Sequence, residues 1–187
     1  PMRRFTQIEN ALQQMLKIIP LGGLGEIGRN MMAMSYDDNI VIIDAGLMFP
    51  EDHMLGIDCV IPDMGYLLRQ KSRLRALLLT HAHEDHIGAV PYLLREINVP
   101  VYGTAFTLGM VSHKLLEHGL LTSAVLNRVE AGQQLAIGPF TFEFIRVHHS
   151  VVDGVGLAVH TPLGTIIHTG DFKMSPSTMP GLETDVA

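Results

Sequence analysis

Ala76-Leu77-Leu78-Leu79-Thr80-His81-Ala82-His83-Glu84-Asp85-His86 decides the reading of this chain. A short apolar run, long enough for one buried strand, empties into three imidazoles and two carboxylates within six residues. Histidine is a common zinc ligand, and aspartate completes hard, hydrolytic sites. After a strand, His81 and His83 can project from an irregular turn toward one point. Asp85 and His86 then face a neighbouring point at the start of the next helix. Two metals about 3.5–4 Å apart, the spacing that activates water and holds a phosphoryl oxygen, suit that order. A pair of histidines alone would be weak evidence; four ligand-type residues in this pattern point to a metal site rather than to structure.

Two later strand ends can complete the set. The run 140–147 ends at His148-His149-Ser150, and 165–168 ends at Thr169-Gly170-Asp171. Adjacent residues point to opposite sides of a strand, so one of His148 and His149 is expected to be the ligand. A carboxylate at Asp171 can bridge two metals. Asp44 ends another apolar run, before Ala45-Gly46, and can orient a metal-bound histidine or water from behind it; His168, three residues before Asp171, is a weaker candidate for the same task. His53, His113, His118 and His160 have no partner pattern and read as surface or packing residues. Met31, Met32 and Met34 read as core, and Cys59 as a buried side chain rather than a nucleophile.

Around these points the chain alternates in type. Thr6-Gln7-Ile8-Glu9 matches a capping box for a short helix through Met15. Strands are expected at 17–21, 31–36 and 40–44, the last two joined at Asp37-Asp38-Asn39, then a long ordered loop from Gly46 to Pro62. Helix 63–71, strand 76–80, helix 86–97, strand 99–102 and helix 104–118 follow, the last stopped by Gly119. Strands at 125–129, 134–137, 140–147, 156–160 and 165–168 close the pattern. With strands mostly joined as hairpins, this predicts a layered α/β or α+β sandwich and not a pure βαβ array. Gly23-Leu24-Gly25-Glu26-Ile27-Gly28 has the spacing of a dinucleotide-binding turn. That site needs a crossover helix, and the residues that follow read as a hairpin instead. A tight glycine turn against another element is the better reading.

Bulk properties agree with a folded globular protein. The 187 residues are 47% apolar and 17% charged, enough for one domain with a large core. The net charge of −6 is opposite to that of a generic basic nucleic-acid binder, although bound cations would supply positive charge where a phosphate must sit. No apolar run approaches a membrane span, and the start lacks a basic-then-apolar signal. One cysteine permits no internal disulfide; together these favour a cytoplasmic protein without membrane partners.

The residues at 81–86 with His149 and Asp171 resemble the metallo-β-lactamase superfamily, in that family's order. Ile19 to Gly28, Asp44-Ala45-Gly46-Leu47-Met48-Phe49-Pro50, Gly56-Ile57-Asp58, Thr80 to Ile87, His149-Ser150 and His168-Thr169-Gly170-Asp171-Phe172 resemble its ribonuclease J branch. The likeness runs from about Lys17 to Lys173; residues 1–16 read as an N-terminal extension, 17–173 as the metallo-β-lactamase portion, and 174–187 as an exit segment.

The resemblance implies a four-layer αββα sandwich, incomplete at the C-terminus. It implies one zinc held by His81, His83 and His149, and a second held by Asp85 and His86, with Asp171 bridging. It favours His149 over His148, since the family places Ser or Thr after that histidine. Mn2+ can occupy the same ligands. The implied activity is RNA hydrolysis, 5′-to-3′ exonucleolytic and endonucleolytic, with Asp85 and His86 as catalytic residues. In such chains an inserted β-CASP domain and a returning segment supply a further histidine ligand, RNA-binding surface and homodimer or larger-assembly contacts. None of that is in this sequence, so the chain is expected to be the metal-binding part of a longer protein. A thioester or lactone hydrolase of the same superfamily, or a metal-binding piece without turnover, are the alternatives.

Overall fold

The structure is a computed structural model that describes residues 15–174 and 183–185. The capping box at 6–9 and most of the exit segment lie outside those residues. Among the described residues, ten strands form two sheets. The first has six strands in sequential order: β1 (Lys17–Gly22), β2 (Met31–Tyr36), β3 (Asn39–Ile43), β4 (Leu74–Leu78), β5 (Val101–Gly103) and β6 (Leu126–Arg128). The second runs β10 (Gly164–His168), β9 (Val155–Thr161), β8 (Phe140–Arg146), β7 (Gln134–Ile137), all antiparallel.

Alternation along the strands explains the layering. In β3, Ile40 and Ile42 face a helical layer while Val41 and Ile43 face the second sheet; β4 divides likewise, with Leu77 on the helix side and Ala76 and Leu78 on the other. Burial on both faces is why these strands read as unbroken apolar runs. In β8 only Phe140, Phe142 and Phe144 are fully buried, and they fill the space between the sheets. The helical layer comprises α1 (Gly65–Arg69), α2 (Glu84–Ile87), α3 (Val90–Glu96) and α4 (Ala105–Glu117), which contribute Leu67, Ile87, Val90, Leu93, Leu108, Val111 and Leu115. Helix, sheet and sheet make three layers; no fourth, helical layer lies on the second sheet among the described residues.

Hairpins join β1 to β2, β2 to β3 and β7 through β10, as expected, while β3 to β6 run parallel, joined by crossovers through the helices. One expectation needs correction. The single helix expected over 86–97 is two, because Pro91 has no amide hydrogen and its ring would collide with the carbonyl of Ile87. Elsewhere the local signals hold. Gly119 takes a left-handed φ of 69°, and the Gly119 and Leu120 amides donate to Leu116 and Leu115, closing α4 as a Schellman motif. The long loop is pinned by the Met48–Val60 bridge. The glycine-rich turn joins antiparallel β1 and β2 with no helix between them, and a Cβ at Gly28 would crowd Met48.

Parallel β3 and β4 end at one edge of the first sheet, at Asp44 and Thr80. β8 and β10 end at the same edge, where the Val155 amide donates to the Thr80 carbonyl across 2.9 Å and ties the two sheets together. Four strand ends therefore deliver Asp44, His81, His149 and Asp171 to one place.

Candidate metal centre

The loop after β4 is held as a template by the segment after β3. The Ala45 amide donates to the carbonyl of His86, that of Leu47 to Glu84, and that of Asn30 to Asp85. Gly46 lies so close beneath that a Cβ there would fall on the Asp85 carbonyl oxygen. Lys114 of α4 pairs with Glu84 at 2.6 Å and fastens the other side.

Within that frame, one ligand atom from each of His81, His83, His149 and Asp171 lies within 4.8 Å of the other three. The His81 Nε2 and His83 Nδ1 atoms are 2.9 Å apart. The rings of His81, His83 and His149 meet edge to face, with centroids 4.7–5.1 Å apart. His149, not its neighbour His148, enters the group; the His148 backbone instead bonds to Thr184 and Lys173. Three imidazoles and a carboxylate converging from separate elements are a donor set that fits a divalent cation.

A second group borders the first. His86 Nε2 lies 3.6 Å from Asp85 Oδ2 and 3.5 Å from Asp171 Oδ1, while the other oxygen of Asp171 lies 3.6 Å from His149 Nε2. The two oxygens of Asp171 thus face the two groups. Beside His86 and Asp171 a cleft of about 300 Å³ opens, lined among others by Gly23, Asn30, Asp44 and His168.

Asp44 sits behind both groups. It is buried, in left-handed conformation at φ 59°, which aspartate tolerates better than most residues. Its Oδ1 accepts from the Thr80 amide, and its Oδ2 accepts from the Thr80 hydroxyl and from His86 Nδ1, each at 2.8 Å. Burial pushes the Asp44 carboxyl up, but the charge and hydrogen bond of His86 outweigh it and hold it below the ordinary range. Burial likewise opposes a charge on His86, and Asp44 outweighs it, so the His86 pKa is raised. His81 differs: burial, seconded by the charge of His86, pushes it down to about 3. Burial also lowers His149, against the pull of Asp171.

His168 lies at the end of β10, where its Nδ1 accepts from the Gly170 amide at 3.2 Å and shapes the turn into Asp171. His53, His113 and His160 pair with carboxylates, and His118 packs on Tyr92, all away from the cluster. Cys59 is half-buried with its Sγ 3.6 Å from the Tyr92 hydroxyl. Met31 and Met34 are buried in the core, and Met32 packs against it.

Sequence reasoning missed three neighbours. Asn30 Nδ2 donates to Asp85 Oδ2 at 3.1 Å and touches His86 Nε2 at the same distance. The Thr80 hydroxyl meets His81 Nδ1 at 2.9 Å, and the Ser150 hydroxyl meets His83 Nε2 at 3.3 Å. The signal for the last two was adjacency, since each stands beside a candidate ligand; Asn30, 55 residues before Asp85, had no local signal.

The Metallo-beta-lactamase superfamily model matches residues 24–183. The chain is 45% identical over 172 residues to Ribonuclease J of Helicobacter pylori strain 26695, an alignment covering 91% of this chain and 25% of that protein. It is 42% identical over 182 residues to Ribonuclease J of Thermus thermophilus, covering 94% and 32%. Against Ribonuclease J2 of Bacillus subtilis 168 the identity is 44%, covering 84% and 28%. The chain therefore spans about a quarter to a third of the length of these relatives. Among solved structures, the metallo-beta-lactamase fold protein YhfI from Bacillus subtilis superposes with a TM-score of 0.61 at 20% identity, over 84% of this chain and 63% of that one. A protein of unknown function from Enterococcus faecalis V583 gives 0.67 at 19% identity, over 85% and 44%.

Proposed function

The chain belongs to the metallo-β-lactamase superfamily, and on that premise we propose that it is the metal-binding part of a zinc-dependent ribonuclease acting on RNA by 5′-to-3′ exonucleolytic and endonucleolytic hydrolysis. The observation that carries the two-metal reading is Asp171, one oxygen toward His149 and the other toward His86. His81, His83 and His149 would hold one zinc; Asp85 and His86 would hold the second, with Asp171 shared; Mn2+ fits the same ligands. Bound there, the ions would lower the pKa of water toward neutrality and offset charge on phosphoryl oxygens.

The protein's own groups do the rest. Asp44 takes the Nδ1 proton of His86 into a hydrogen bond and so turns its Nε2 lone pair outward. Asn30 donates to the Asp85 carboxylate, which would orient or accept a proton from water. The cleft beside His86 and Asp171 gives the phosphodiester room to approach, and hydrolysis leaves a 5′-phosphate. A homodimer or larger assembly, acting on RNA, belongs to the proposal as well. Cytoplasmic location is part of the same proposal; no helix among the described residues is long and apolar enough to cross a membrane.

Incubation of the protein with 5′-monophosphorylated RNA, with and without chelator, tests the reading. Chelator-sensitive decay is expected. Turnover of a thioester or lactone but not RNA would move the protein to the small-molecule hydrolases, and zinc uptake without turnover of either would leave a metal-binding module.

A further inference from the structure

We propose that Asn30 is a further ligand of the second metal point, giving the ion its side-chain amide oxygen. The proposal rests on the two-metal reading above and deepens it. Four donors set tetrahedrally about 2.0–2.2 Å from one ion stand about 3.3–3.6 Å from one another. His86 Nε2 lies 3.6 Å from Asp85 Oδ2 and 3.5 Å from Asp171 Oδ1, which are distances of that size. Those three atoms leave the point one donor short. The end of the Asn30 side chain lies 3.1 Å from Asp85 Oδ2 and 3.1 Å from His86 Nε2. It reaches the same place from a third element, the turn between β1 and β2.

The surroundings fix that reach. The Asn30 backbone amide donates to the Asp85 carbonyl, and the Asn30 carbonyl accepts from the Gly46 amide, both at 2.9 Å. The backbone is therefore fastened to the ligand loop and to the segment behind it without using the side chain. Asn30 lines the same cleft as His86 and Asp171. Gly23 borders the other end of the amide, and a Cβ there would collide with Asn30 Oδ1, so a larger residue would push the group out of place.

Chemistry decides which amide atom an ion takes. The nitrogen carries two hydrogens and only donates, whereas the oxygen has lone pairs to give, and such carbonyl oxygens suit hard cations. Nδ2 is the atom that faces Asp85 and His86. A half turn about the Cβ–Cγ bond exchanges Nδ2 and Oδ1 within nearly one outline, and that torsion is broadly two-fold. No proton is gained or lost in the exchange. The hydrogen bond to Asp85 is given up, Oδ1 turns to the ion, and the NH2 group turns toward Gly23. The second point then offers one nitrogen and three oxygens, against three nitrogens and one oxygen at the first.

Calorimetric zinc titration reads affinity at the two points, and proton cross-relaxation NMR of the zinc-loaded protein reads which way the Asn30 amide faces. With two zinc ions bound, the Asn30 NH2 protons are expected beside the Gly23 α-protons and away from the His86 ring. Asn30→Ala should weaken the second zinc about 100-fold, the upper end of what loss of a group beside a ligand costs, and leave the first within about twofold. Asn30→Asp, which keeps an oxygen at the same reach, should restore the second. NH2 protons that stay on the His86 ring with zinc bound, or Asn30→Ala taking up both ions within about twofold of the parent, would overturn the role of Asn30. A parent that binds a single zinc, lost in His81→Ala combined with His83→Ala, would overturn it too while leaving the first point standing. Failure of the parent to take up any zinc would overturn the metal-centre reading as well.

Discussion

His81, His83 and His149 surround one point with three imidazoles drawn from two strand ends, whereas Asp85, His86 and Asp171 border the next with one imidazole and two half-exposed carboxylates. In the first group burial holds His81 uncharged and lowers His149, and no carboxylate accepts from the His81 ring directly. The second is built on charge, because His86 leans on buried Asp44 and is surrounded by Asp85 and Asp171. A neutral imidazole offers its lone pair to a metal at once, while a raised His86 pKa makes the proton a stronger competitor there. The same six-residue stretch thus feeds one group whose buried imidazole is uncharged and one built on charge.

The largest effect should separate the points. His81→Ala combined with His83→Ala is expected to abolish zinc uptake at the first point, and His86→Ala to spare it and reduce only the remaining stoichiometry, both read by calorimetric titration. Equal zinc uptake by the double variant and the parent would mean that the two groups are not distinct metal points. Next in size is Asp44→Asn. It removes the acceptor of the His86 and Thr80 protons in a buried site, and breaking such a pair costs about 3–5 kcal/mol, measurable by urea unfolding in chelator. Zinc should then be lost from the second point before the first.

How much of this was legible depends on range. β4, the cluster at 81–86 and the strand-end positions of His149 and Asp171 follow from local pattern: apolar runs meeting ligand-type residues. Gly119 as the stop of α4 was equally local. The parallel pairing of β3 through β6 was not, because an apolar run buried on both faces says nothing about the direction of its neighbour. The break between α2 and α3 was written in Pro91, whose missing amide outweighs the continuous apolar stripe. The backing of the site by Asn30 and Gly46 could not be read from order alone. Both act through carbonyl or side-chain atoms of residues dozens of positions away.

The neutral character of His81 gives a pH signature. His81 has an unfolded pKa near 6.5 and a folded one of about 3. Between those values the unfolded chain binds the proton and the folded chain refuses it, so metal-free stability falls as pH falls, by about 1.4 kcal/mol per unit. Above 6.5 neither state holds the proton and the effect vanishes. His81→Gln should remove this dependence. Urea unfolding in chelator at about pH 7.5 and about pH 5 should show the parent losing about 2 kcal/mol more than the variant. Equal losses would mean that His81 is not held neutral, and the contrast between the points would shrink.

The smallest effect concerns what the two points share. Glu84 stands between His83 and Asp85, and Lys114 clamps it to α4 from a site with a fifth of its side chain exposed. That exposure screens the pair, so Lys114→Met should cost only about 1 kcal/mol in unfolding free energy. Its value lies in symmetry. Glu84 touches neither group of ligand atoms, and the clamp acts on the backbone that carries both, so zinc affinity at the two points should fall together and their ratio should hold. A change confined to the first point would instead place the clamp on the side of His81 and His83, and one confined to the second would show that α4 supports only Asp85 and His86.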